Sequence, residues 1–330
     1  MPPTPTGVLL LNLGGPDSLA AVEPFLVNLF SDREIIQLPF GRLVQPVFAR
    51  ALSKARGPSV RKNYERIGGR SPQLPLTLAQ AAALESRLNR GGGAFRARVG
   101  MRYSQPTIAS ALDALAEEGV SRIVALPLYP QYSLATTGSS FNALAQALDA
   151  SASRPRPEVT RIESYPDDPA YLDAMTDTVR HALASFPDDR RDHAVLLFSA
   201  HGLPRSFVKR GDPYVGQVAA TVAGILSRLD VPNRHVLGYQ SRTGPVKWIE
   251  PGIEEVIASL GRDGVKELLI APVSFVSDHI ETLYEVDLLF AAEARAAGIS
   301  TVVRSPALNS HPLFIEALAG LVERHLDGRS

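Results

Sequence analysis

Short runs of apolar residues alternate along the chain with longer stretches whose apolar positions recur every three or four residues. That alternation is the pattern of a parallel α/β sheet, with strands buried on both faces and helices between them. Strands are expected at 8–13, 97–101, 123–128, 194–199, 235–239 and 267–272. Helices are expected at 75–89, 107–118, 169–186, 214–229, 251–260, 279–297 and 312–325. The stretch 38–52, which begins at Leu38 and ends at Leu52, is apolar and aromatic but lacks a strong helical period. It reads as a mobile lip over the cleft, as an edge that touches a membrane, or as a packed connecting segment.

The two halves repeat one another. GVSRIVALPL at 119–128 aligns with GVKELLIAPV at 264–273, each a Gly turn followed by an apolar strand that runs into Pro. Residues 99–103 align with 237–241, each ahead of a Pro-started helix, and 8–16 and 195–204 share a strand leading into a Gly/Pro loop. The expected fold is α/β, with two similar doubly wound, Rossmann-like lobes, parallel sheets and a cleft between them. The lobes are expected at 1–168 and 169–330, with the terminal helix packing back on the first. Open parallel sheets bind ligands outside the carboxyl ends of their strands. Those ends carry residues 12–16, 102–105, 129–140, 199–203, 240–248 and 274–285.

Composition narrows the chemistry. Lys plus Arg (34) equals Asp plus Glu (34), so the basic footprint of a nucleic-acid binder is missing. The chain has no Cys, which excludes disulfides, thiolate metal sites and cysteine-ligated iron–sulfur clusters. A metal here must be met by His, carboxylate, backbone or water. No apolar stretch approaches the ~20 residues of a membrane span, and the start lacks the basic segment of a secretory signal. The cytoplasm is the expected location. No dinucleotide or P-loop glycine motif, HExxH or GxSxG appears.

Two segments concentrate residues able to do chemistry. In FSAHGLP (198–204), His201 stands just past a buried strand, either as a turn histidine or as a proton acceptor or metal ligand. In SFVSDHIETLYEVD (274–287), a helix from Asp278 would put Asp278, Glu281 and Glu285 on one face, with His279 off it. Like charges at that spacing repel. A helix N-terminus accounts for Asp278 and Glu281 but not Glu285; a carboxylate track for a dication accounts for all three. Tyr64, Tyr103, Tyr129, Trp248 and Phe275 fall in or beside loops, where they would stack on a flat apolar ligand or simply fill the core. Arg56, Arg102 and Ser71 suit carboxylates on such a ligand, or the bare surface. ATTGSS (135–140) opens a helix as an anion site or an N-cap.

LLLNLGGPDSL, YERIGGRSP, LYPQYS with TTGSS, FSAHGLP with RGDPY, GPVKWIEP and SFVSDHIETLYEVD together resemble the ferrochelatases, over nearly the whole chain. The resemblance implies a chelatase-type two-lobed fold and insertion of ferrous iron into protoporphyrin IX, the terminal step of heme biosynthesis. Iron is then substrate rather than prosthetic group. His201 matches the family's proton acceptor or metal ligand, and Glu281 its carboxylate partner across the porphyrin. The two are expected on opposite sides of a flat ligand, with Asp278, His279 and Glu285 in an acidic path behind. Arg56, Tyr64 and Ser71 match positions at the propionates or macrocycle edge; Arg102, Tyr103, Trp248 and Phe275 match pocket-lining ones. Leu13 stands where coproporphyrin III-using members carry Tyr, which favours protoporphyrin. Peripheral contact with the inner membrane through 38–52 is the expected partnership besides the substrates, and oligomeric state stays open. Two rivals remain: a tetrapyrrole- or metal-binding module without chemistry, and a chelatase for another metal or macrocycle, such as cobalt or coproporphyrin III.

Overall fold

In the computed structural model, which describes residues 4–36, 41–150, 156–242, 244 and 246–328, the apolar runs become two separate four-stranded parallel sheets. Each belongs to its own compact unit, residues 1–164 with 315–330 and residues 165–314. The first unit runs β1 (Thr6–Asn12), α1 (Val22–Ser31), α2 (Gly41–Glu65), α3 (Gln73–Leu88), β2 (Phe95–Met101), α4 (Ile108–Glu117) and β3 (Arg122–Pro127). A π-helical turn π1 (Leu134–Gly138), α5 (Ser139–Ala150) and β4 (Glu158–Arg161) follow. The second runs α6 (Pro169–Leu183), α7 (Asp188–Arg191), β5 (Val195–His201), α8 (Arg205–Lys209), α9 (Tyr214–Leu229) and β6 (His235–Gln240). It continues with α10 (Ile253–Arg262), β7 (Glu267–Pro272), a π-helix π2 (Glu281–Phe290), α11 (Ala291–Ala296) and β8 (Thr301–Arg304). The last helix, α12 (Pro312–Leu326), carries Glu316 and Glu323, both bound by Arg87 of α3.

Strand order is β2-β1-β3-β4 in one sheet and β6-β5-β7-β8 in the other, so the repeat read from the sequence is a repeat of topology. Each sheet reverses its winding beside its first strand, and the crevice there is the usual ligand site of such folds. The cores match too. Leu9 and Leu11 of β1 face Leu112, Leu115 and Phe141, while Val195 and Leu197 of β5 face Ile257, Leu260 and Phe290. Gly100 and Gly238, paired in the sequence alignment, are needed for one reason: a Cβ at either would lie 3.1–3.2 Å from the Cα of Ile108 or Ile253.

The six expected strands form, with ends shifted by up to two residues. Edge strands β4 and β8 were not legible, because Glu-Val-Thr-Arg and Thr-Val-Val-Arg carry too few apolar residues. Their pairing with β3 and β7 makes them strands. Helix α2 corrects the reading of 38–52 as a stretch without helical period: residues 41–52 are its first half, and 38–40 lie outside the described residues. Its buried stripe is Gly41, Gln45, Ala49, Ser53 and Gly57, one residue every turn. These are small or polar, so a hydrophobicity pattern cannot show them; they bring α2 close to α1, and the Gln45 amide donates to the carbonyls of Phe30 and Ile36. The apolar residues that do show, Leu43 and Val47, point outward at 83% and 67% exposure.

Candidate active site

His201 is the last residue of β5, inside the strand rather than past it. It lies opposite Gln240 of β6, at the crevice beside β7. Gly202 follows because a Cβ there would lie 2.7 Å from the Gln240 carbonyl and 3.3 Å from the Trp248 ring. Trp248 is thereby seated against Gly202. Its own strand contact is with Pro204.

The His201 Nδ1 lies 2.8 Å from Glu281 Oε2, with the two side chains 41% and 22% exposed. The expectation that they stand on opposite sides of a flat ligand is overturned by that hydrogen bond. They form one unit, and it leaves the far edge of the imidazole open. Phe275 meets the His201 ring edge-on at 6.1 Å and lies 4.3 Å from the His279 ring.

The 279–297 helix begins only at Glu281 and is a π-helix for its first ten residues. Wider turns of this kind are rare and concentrate at functional sites. The consequence for the acidic residues is specific. Glu281 and Glu285 share a face, and Gln240, fully buried, ties them together by donating to the Glu281 carbonyl and the Glu285 carboxylate, each at 3.2 Å. Ser241 donates to the same Glu285 oxygen, and Ser199 orients Gln240 through its amide oxygen.

Asp278 and His279 precede the helix, so their helical phasing does not apply. His279, expected off the acidic face, reaches Glu281 with its Nε2 at 3.6 Å. Asp278, expected on that face, is instead held by Arg304 at 3.0 Å and Asn309 at 2.9 Å, and accepts from Thr282. Among the described residues no group of three or more His, Asp or Glu side chains is placed to hold a metal ion. The arrangement is a pair with a satellite carboxylate, not a preformed cage.

Burial opposes the charged form of His201, but the Glu281 carboxylate, by charge and hydrogen bond, outweighs it and raises the imidazole above its ordinary value. Burial likewise opposes ionisation of Glu281; His201 and then His279 overcome it and hold that carboxyl well below the usual range. Glu285 goes the other way. Burial and then the Glu281 charge push it up to about 7. The site thus joins an imidazole of raised proton affinity and a strongly acidic carboxyl to a second carboxyl that titrates at about 7.

The first unit has its own polar cluster at the end of β2. Arg102 donates to Asp32 at 2.8 Å and to Ser139 at 2.7 Å, and Tyr103 donates to the same Asp32 oxygen at 2.6 Å. Tyr103 and Tyr129 are buried, and burial raises both phenols. ATTGSS is not a simple helix cap: Ser133 caps the π1 turn and Ser139 donates to Asp32. Tyr64, expected in or beside a loop, lies in the last turn of α2, next to the loop that follows, and is buried. Ser71 is buried as well, with its N–H on the Pro16 carbonyl. Arg56 is exposed mid-helix on α2, and Leu13 is half-buried just past β1. Sequence reasoning missed Asp32, Gln240, Ser241, Ser274 and Tyr214. Gln240, Ser241 and Ser274 at least fall at strand ends; nothing in the sequence around Asp32 marks it.

A family model described as Ferrochelatase matches residues 5–326. The ferrochelatase of Geotalea uraniireducens (strain Rf4) is 51% identical over 322 residues, 98% of each chain. That of Synechocystis sp. (strain ATCC 27184 / PCC 6803 / Kazusa) is 46% identical over 317 residues, 96% of this chain and 81% of the relative. Among solved structures, SirB from Bacillus subtilis with Fe3+ aligns over 98% of both chains with a TM-score of 0.57 and 14% identity, a likeness of fold alone.

Proposed function

The chain belongs to the ferrochelatase family, and from that premise we infer that the His201–Glu281 pair is where it inserts ferrous iron into protoporphyrin IX. The observation that carries this reading is the 2.8 Å hydrogen bond between the two at the winding-reversal crevice of the second sheet.

Insertion replaces two pyrrole protons by one dication, so the site must take up protons and strip water from iron. His201 is paired with Glu281, whose charge and hydrogen bond raise its affinity for a proton. A dication at Glu281 cancels the negative charge that raises the imidazole, and burial then favours the neutral form. The outward edge of His201 so becomes a proton acceptor when the metal is present. Glu285, poised at about 7, loses its proton under the same charge and supplies a second anionic oxygen. Gln240 and Ser241 hold it in reach of Glu281.

Arg102, steadied by Asp32, and the buried Ser71 and Tyr64 supply polar and aromatic groups suited to a porphyrin's propionates and edge. Arg56 extends that set on α2. Tyr103 and Tyr129, buried and neutral, stand beside Arg102. Leu13 in place of a phenol favours protoporphyrin over coproporphyrin III. No described helix is long and apolar enough to cross a membrane. The exposed Leu43, Val44 and Val47 support peripheral contact with a lipid surface.

The test is anaerobic metallation followed by absorbance, with Fe2+ or Zn2+ and with protoporphyrin or coproporphyrin. Turnover is expected with protoporphyrin and lost in His201→Ala. Tight porphyrin binding without metallation would leave a carrier. Faster turnover of coproporphyrin would overturn the Leu13 argument.

A further inference from the structure

At the end of β5 the ladder of backbone hydrogen bonds runs out before the strand does. Alternate residues of a parallel strand turn both backbone groups to the same neighbour. Leu196 and Gly202 donate towards β6, to Arg234 and Gln240 carbonyls at 2.9 and 2.8 Å. Ser199 faces β7, and its carbonyl accepts from Val273 at 2.9 Å. The register with β7 ends there, with Ser199 opposite Pro272. His201, two residues on, turns its N–H and C=O to a side where the neighbouring strand has stopped.

Two side chains stand in for that strand. Ser274 Oγ accepts the His201 N–H at 2.9 Å, and the Tyr214 hydroxyl donates to the His201 carbonyl at 3.1 Å. Tyr214 opens α9 and Ser274 lies two residues past β7, so separate elements converge on the backbone groups of one residue. Burial holds the Tyr214 phenol well above the usual tyrosine range, so it stays a neutral donor.

The other unit shows that the fold itself does not need this arrangement. Leu11 lies opposite Pro127 as Ser199 lies opposite Pro272, which makes Leu13 the counterpart of His201. Leu13 gives its N–H to the adjacent Asn12 side chain at 2.8 Å, and its carbonyl accepts from Tyr103 at 3.0 Å, on the β2 side. The chain then turns away at Gly14, φ 83°. The added clamp is found in the unit whose strand ends in histidine.

We infer that Ser274 and Tyr214 are positioning residues for metal insertion, holding β5 on its β7 side for the two residues beyond Ser199 so that the His201 ring meets Glu281 and keeps its outer edge towards the porphyrin. This rests on His201 being the proton acceptor. Neither residue touches the substrate in this role, so porphyrin affinity is not what they set.

The experiment compares wild type, Ser274→Ala, Ser274→Thr, Tyr214→Phe and His201→Ala in full-length protein. Porphyrin Kd is read by absorbance titration without metal, and kcat and KM by Zn2+ insertion. Ser274→Ala and Tyr214→Phe are expected to lower kcat about tenfold or more, since an ångström of misplacement is enough, with Kd held within about twofold. Ser274→Thr, which keeps the hydroxyl, restores most of kcat. Wild-type kcat in both Ser274→Ala and Tyr214→Phe overturns the inference, as does a Ser274→Thr no better than Ser274→Ala, or a loss of affinity that accounts for the loss of rate. His201→Ala separates the two readings. If it turns over normally, the role of His201 fails; if it is inactive while the other variants are unimpaired, only the clamp fails.

Discussion

Asp32 accepts hydrogen bonds from Arg102, Tyr103 and Ser139 on one oxygen, with its side chain 4% exposed and that of Arg102 24%. Asp32→Ala leaves a guanidinium largely out of water without its carboxylate, and removing one partner of a buried pair costs about 3–5 kcal/mol. The lower end is expected, because Tyr103 and Ser139 hydroxyls lie 3.3 Å apart and can pair with each other. At ~2–4 °C per kcal/mol for a unit of this size, a loss near 3 kcal/mol lowers the Tm of the first unit by roughly 6–12 °C. Replacing both charges, as Asp32→Leu with Arg102→Met, removes the orphan and should recover most of that loss, since apolar substitutes of similar volume often match a buried ion pair. Calorimetry on the single and double variants measures both effects, and porphyrin titration of the stable double variant reports what Arg102 does for binding. A single Asp32→Ala variant that melts within about 2 °C of wild type, less than one kcal/mol on the same scale, would show that the cluster is not held by charge.

Glu285 predicts a pH dependence. Its carboxyl rises from 4.5 to about 7 in the folded protein, so the native state binds more protons than the unfolded chain between those values. Its contribution is fully present below the unfolded pKa and is lost as pH rises through about 7. Glu285→Gln should flatten the fall in Tm over that window, and an unchanged Tm–pH profile would count against the assignment. Gly202→Ala forces a methyl group to within 2.7 Å of the Gln240 carbonyl and against Trp248, the chain's single tryptophan. A loss of about 1–3 kcal/mol is expected from such overpacking, with a shifted Trp emission and reduced metallation; wild-type emission with full activity would refute the crowding. For the surface, Leu43→Glu with Val47→Glu should reduce co-sedimentation with anionic vesicles and leave metallation of detergent-dispersed porphyrin unchanged.

Much of this protein was legible in one dimension. Apolar runs bounded by glycine and proline located six of the eight strands among the described residues, because burial on both faces demands such runs. The internal alignment anticipated two sheets of the same topology. FSAHGLP and SDHIETLYE marked His201, Glu281 and Glu285, since strand ends at a winding reversal are where side chains can meet a ligand.

Tertiary structure decided the rest, and in each case because a contact overruled a local pattern. Edge strands β4 and β8 exist through pairing with β3 and β7. Helix α2 is held by a stripe of Gly, Gln, Ala, Ser and Gly that carries no hydrophobic signal. The α-helical phase assumed for Asp278, His279 and Glu281 failed, because the helix starts at Glu281 and is wound wider. That handed Asp278 to Arg304 and brought His279 to the glutamate. Asp32 joined Arg102 across 70 positions. His201 and Glu281, 80 positions apart, proved to share a hydrogen bond instead of facing each other across a ligand. Periodicity records which face of an element is buried. Which charges then meet is set by how those elements pack, and only the folded chain holds that information.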